Sequence, residues 1–125
     1  MTFKYYTRNE SDQYSFIRIP KAMMTEELFA PLSMQSKILY GLLLDRMGTS
    51  VKNNWLDDNN RAYVVYQITE IMEDLNVSKK KAMEYLNELV EVGLVEKKVR
   101  GLGMPSMLYV KNFKVVQEGV LDGNL

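Results

Sequence analysis

Apolar residues recur along the chain at two spacings, three to four in some stretches and two in others, and these assign the elements. Ile38, Leu39, Leu42, Leu43 and Met47 fall on one helical face. They predict an amphipathic helix that opens at Ser33, a good N-cap, and closes at Gly48. Ile68, Ile71, Met72 and Leu75 predict a second helix over residues 67–75. Ala82, Leu86, Leu89 and Val90 predict a third, capped by Ser78, running to about Glu91 and stopped by Gly93. Only Asn76-Val77 separates these last two, so the connection is a tight turn with Val77 packed between the helices.

Strand-like runs fill the remainder. Residues 94–100 and 107–110 flank Gly101-Leu102-Gly103-Met104-Pro105-Ser106 and predict a hairpin. Ala62 to Val65 reads as a strand behind the turn Asp57-Asp58-Asn59-Asn60. Aromatic and β-branched residues at 3–6 and 14–19 flank turn residues at 9–12, predicting an N-terminal β-hairpin arm. Short helical turns over residues 21–29 follow, bounded by Pro20 and Pro31. There is no internal repeat and no low-complexity tract. The resulting division is an arm (1–32), a principal domain (33–116) and a polar tail or start of a linker (117–125).

The order helix, strand, helix, turn, helix, hairpin is that of a winged helix-turn-helix, an α+β fold, here with the added arm. Such domains bind DNA, though some bind proteins instead. In the third helix Leu86, Leu89 and Val90 lie within roughly 80° of Ala82 at about 100° per residue. Lys80 and Glu84 fall on the opposite face with Lys81 beside them, placed to reach base edges. Glu84 is equally placed to pair with Lys80 or Lys81. Lys79 and Tyr85 lie on the flanks, Lys79 suited to phosphate and Tyr85 to backbone or a thymine methyl.

Charge sharpens this picture. The chain has 16 Lys+Arg and 16 Asp+Glu, a net charge of zero. Residues 76–114 nevertheless hold eight basic and four acidic residues, so this part carries +4 and the rest −4. A nucleic-acid footprint is local, and the regional value is the relevant one. Lys79, Lys80 and Lys81 occupy a helix N-terminus, where cations are disfavoured by roughly 0.3–1 kcal/mol each. A phosphate there reverses the sign, meeting free N–H groups, the Ser78 hydroxyl and the lysines together. Lys97, Lys98 and Arg100 lead into the hairpin tip and form a second basic surface. A guard of charge against edge pairing would place the same residues there.

The 125 residues contain no His and no Cys. That excludes Ser-His-Asp and Cys-His relays, thiolate metal sites and disulfides. No spacing gathers the carboxylates into an acid/base or metal site, so neither an enzyme nor a cofactor is expected. Asp57 to Asn60 lacks the spacing of a calcium loop, and the Gly101 loop that of a phosphate loop. No apolar run approaches the ~20 residues that span a bilayer, and the N-terminus has no signal-peptide core. A cytoplasmic protein without membrane contact is the expectation. The aromatics of the arm, Tyr5, Tyr6, Tyr14 and Phe16 with Phe3, either cover the domain's own core or pack across the two-fold axis of a homodimer.

The segments "IPKAMM", "LSMQSKILYGLLLDRM", "EIMEDLNVSKKKAMEYLNELVEVGLVEKK" and "GLGMPSMLYVKNF" resemble the N-terminal domain of plasmid replication initiator protein A of Gram-positive bacteria. The resemblance runs over roughly residues 14–113. It implies a winged helix that binds repeated double-stranded sequences at a plasmid origin as a dimer. The family's recognition helix matches at Ser78 to Tyr85 and its wing at Lys97 to Ser106. It also implies a C-terminal domain recruiting host replication proteins, so these 125 residues read as a fragment without initiation activity of its own. A winged-helix transcriptional regulator and a protein-interaction domain that does not bind DNA are the alternatives.

Overall fold

The computed structural model describes residues 1–7 and 14–114. A short helix α1 (Ala22–Thr25) and a 3-10 turn (Glu27–Phe29) lead into the long helix α2 (Met34–Lys52). Then come α3 (Ile68–Leu75), α4 (Lys79–Val92) and an antiparallel hairpin of β1 (Val95–Lys98) and β2 (Met107–Val110), in register Val95↔Val110 to Lys98↔Met107. Val64 adds a one-residue third strand, exchanging backbone hydrogen bonds with Leu108 at 2.9 and 2.8 Å. The predicted strand over 62–65 is thus reduced to two isolated bridges, Ala62 with Leu56 and Val64 with Leu108. The architecture is an α+β winged helix.

Local chemistry sets the element ends. Ser33 caps α2, its Oγ accepting from the Ser36 N–H at 3.1 Å. A second cap comes from α4: the Glu88 carboxylate accepts from the Ser33 N–H (2.7 Å) and hydroxyl (3.0 Å) and from the Ser36 hydroxyl (3.2 Å). A negative group there also suits the helix dipole. Contrary to expectation, α2 does not stop at Gly48. That residue has open space around it and no left-handed φ, so the helix continues until Asn54 turns left-handed at φ 60°. The turn between α3 and α4 hinges on Asn76 at φ 54°, and α4 ends on Gly93 at φ 94°. Val77 is partly buried against the core, as expected.

The core joins all three long helices to the hairpin. Met23, Leu39, Tyr40, Leu43, Val64, Ile71, Ala82 and Leu89 are wholly enclosed. Met23, Phe29 and Leu32 belong to it too. At ~1.5–3 kcal/mol per fully buried large apolar side chain, residues 20–32 are integral to the domain rather than an appendage. The Tyr40 hydroxyl donates to the Lys111 carbonyl at 2.6 Å, tying α2 to the segment leaving β2.

The arm departs from prediction. Its described residues, 1–7 and 14–20, form no strand, and the turn expected at 9–12 lies outside the described residues, as does the tail at 117–125. Tyr6 and Tyr14 approach edge to face at 6.5 Å, but Phe3, Tyr5, Tyr6, Tyr14 and Phe16 are all exposed, so here they do not cover the core. Arg18 and Ile19 cross α2 where Gly41 leaves room. A Cβ at Gly41 would stand 2.9 Å from the Arg18 carbonyl oxygen.

Candidate nucleic-acid interface

Ser78 opens α4 as its N-cap, its Oγ accepting from the Lys81 N–H at 3.3 Å. The three lysines of the first turn are exposed. Their side chains then diverge. Lys81 leans back to Glu84, Nζ to Oε2 3.4 Å. Lys79 and Lys80 face a groove of about 790 Å³ between α4 and the hairpin. Lys97 stands on its opposite bank, and the floor is apolar, built from Ile68, Met83, Leu86 and Val90.

Strand register explains which wing residues enter. Cross-strand partners share a face. Val95 with Val110 and Lys97 with Leu108 therefore point toward the helices. Val95 and Leu108 are core, while Lys97, further along, emerges into the groove. Lys98, paired with Met107, points away from it with Glu96, and Glu96 meets Lys111 at 3.5 Å. Arg100 is half-buried, its Nε donating to the Pro105 carbonyl at 2.9 Å across the wing tip. It braces the loop. Ser106, also half-buried, lines a smaller groove of about 370 Å³ between the wing and the start of α3, beside Gln67, Lys97 and Pro105.

The outer face of the wing is locked by the predicted turn. Asp57 Oδ1 accepts from the N–H groups of Asn59 (2.9 Å) and Arg61 (2.8 Å). Its Oδ2 accepts from Arg61 Nε and the Tyr109 hydroxyl, each at 3.0 Å. These donors, the Arg61 N–H foremost, hold the Asp57 carboxyl down to about 2. The Arg61 guanidinium lies over the Tyr109 ring at 5.0 Å, and Tyr63 meets that ring edge-on at 6.4 Å. Among the described residues no group of His, Cys, Asp or Glu is placed to hold a metal ion, and no helix is long and apolar enough to cross a membrane.

One predicted contact residue is displaced. Tyr85 is buried in the core. The helical projection put it on a flank, but that flank faces α2, which the Glu88 cap draws against α4. The buried arc of α4 is therefore wider than the apolar stripe suggested. The structure thus gathers Lys79, Lys80, Glu84 and Lys97 around one groove and leaves Lys81, Lys98, Arg100 and Tyr85 out of its lining.

The family model described as Replication initiator protein A (RepA) N-terminus matches residues 15–122. The chain belongs to this family. Its backbone is similar to a solved "N-Terminal domain of DNA binding protein", at 36% identity and TM-score 0.75, covering 94% of this chain and 88% of that one. It is similar to the protein in a "Structure of Rep-DNA complex", again at 36% and 0.75, covering 91% and 88%. A "Structure of MDR initiator" matches at 29% identity and TM-score 0.71, covering 91% and 90%. A "41 kDa protein" of Lactobacillus helveticus is 29% identical over 91 residues, 73% of this chain. The match spans 26% of that relative's length, so this RepA-family domain corresponds to about a quarter of it.

Two groove residues of this RepA-family domain escaped the sequence reading, Met83 and Asn87. Met83 is 52% exposed, and Asn87 is exposed with its amide donating to Glu91 at 3.1 Å. The signal was present: at about 100° per residue both lie between Ala82 and Lys80 on the helix surface. A methionine and an asparagine carry no charge, so a search by charge does not find them.

Proposed function

We propose that this domain binds double-stranded DNA sequence-specifically at repeats of a plasmid replication origin, as the DNA-binding part of a replication initiator. The observation that carries the reading is the groove itself. Lys79 and Lys80 stand at an uncrowded helix N-terminus and face Lys97 of the wing. Phosphates there meet lysines and backbone N–H groups at once, while α4 lies in the major groove. Membership of the RepA family and the likeness to a protein solved with DNA support it. The role is binding, without catalysis, in the cytoplasm. The exposed arm aromatics favour a homodimer, so that two copies read paired repeats. Recruitment of host replication proteins belongs to chain beyond this domain.

The test is fluorescence anisotropy on a duplex carrying the repeats of the chain's own replicon against a scrambled duplex, over a salt series. Preference for the repeats with a steep salt slope is the expected outcome. Lys79→Ala and Lys97→Ala should weaken both duplexes and lower the slope by about one each. Equal affinity for both duplexes refutes origin specificity, and no binding at all refutes the reading as a whole.

A further inference from the structure

The groove facing the duplex is basic at its rim and apolar at its base, and the base needs an occupant. Met83 is the exposed part of it, with Ile68 and Val90 half-buried and Leu86 buried beneath. Lys79, Lys80 and Lys97 stand around them, with Glu84, whose carboxylate pairs with Lys81, so the rim is net positive. An occupant complementary to this surface is anionic at its edges and apolar where it projects inward. A DNA major groove has that form: phosphates flank it, and the thymine C5-methyl is the apolar group on a base edge. We infer that Met83 is a specificity-determining residue that packs against a thymine methyl and selects A·T at one position of each half-site.

The inference rests on the DNA-binding reading above and deepens it. Met83 follows Lys80 by three residues on α4, so its side chain lies about one turn further along the helix. A methionine is unbranched and polarisable, and it follows an apolar surface that differs in shape from its own. It takes the apolar contact that the sequence suggested for Tyr85, which the core has claimed.

The experiment replaces each thymine of one repeat in turn with deoxyuridine, which removes only the methyl group. Wild-type protein should lose affinity about fourfold at one thymine per half-site, the equivalent of ~0.8 kcal/mol for one buried methyl. Met83→Ala should bind the thymine and deoxyuridine duplexes equally, and Met83→Leu should restore part of the difference. Because Met83 is exposed, both variants keep the core, and circular dichroism verifies this. Lys80→Ala serves as the control and should weaken both duplexes alike. If wild type prefers the repeat but no thymine shows a methyl effect, or if the effect persists in Met83→Ala, the inference is overturned while DNA binding stands. If wild type shows no preference for the repeat, both fall.

Discussion

Replacing Glu88 tests the joint between α4 and the rest of the fold. Its carboxylate takes three donors from the start of α2. Hydrogen bonds to a charged group contribute ~1.5–3 kcal/mol each, but the three are not equal. The Ser36 hydroxyl also donates to the Ser33 carbonyl at 2.8 Å, and having a single proton it loses little when Glu88 goes. The Ser33 hydroxyl can turn to water. The Ser33 N–H, half-buried at 2.7 Å, is the donor left stranded. One such loss plus ~0.3–1 kcal/mol for the helix terminus gives about 2–4 kcal/mol for Glu88→Ala. Glu88→Gln keeps an acceptor oxygen and should cost about 1 kcal/mol. Urea unfolding followed by circular dichroism reads this as a lower midpoint at constant slope. In thermal unfolding, Glu88→Ala should melt roughly 10 °C lower for a domain of this size. A change below ~0.5 kcal/mol, the level of an ordinary surface substitution, would refute the cap.

Two further outcomes follow from the geometry. Gly41→Ala gains up to ~1 kcal/mol of helix propensity, yet its Cβ would stand 2.9 Å from the Arg18 carbonyl, so the crossing segment must lift; trypsin should cut at Arg18 faster than in the parent, and a more stable protein with unchanged cleavage would contradict the close approach. Asp57 is held at about 2, so its contribution to stability is complete above the ordinary carboxylate pKa near 4 and fades as pH falls toward 2; a carboxyl NMR titration should find that low midpoint, with Tyr109 resonances moving together with it, and an ordinary midpoint would show that the turn does not clamp the wing.

Much of the fold was legible because its local signals agree. Asn76, Ser78 and Gly93 each sit where backbone geometry calls for them, and the Gly101–Ser106 turn separates two real strands. What escaped was decided by packing between distant segments. Gly48 looks like a stop, but its φ is not left-handed, and the backbone first turns left-handed at Asn54. Tyr85 looked like a flank because α2's approach is invisible in α4's own periodicity. Residues 20–32 read as part of an arm because Met23 and Phe29 lie between prolines, with no helix long enough to show a stripe. At the candidate site the charge asymmetry points to α4 and the wing, while the choice among their lysines rests on hairpin register, which puts Lys97 inward and Lys98 outward.

The clamp on the outer face of the wing has a kinetic consequence. Asp57, Arg61 and Tyr63 grip Tyr109 from a turn about fifty residues upstream. Little ordering entropy is then left for β1 and β2 to lose in the proposed docking on a duplex. Association should proceed close to rigid-body docking, limited by orientation and lysine steering, and differences among target sequences should appear chiefly in how long the complex lasts.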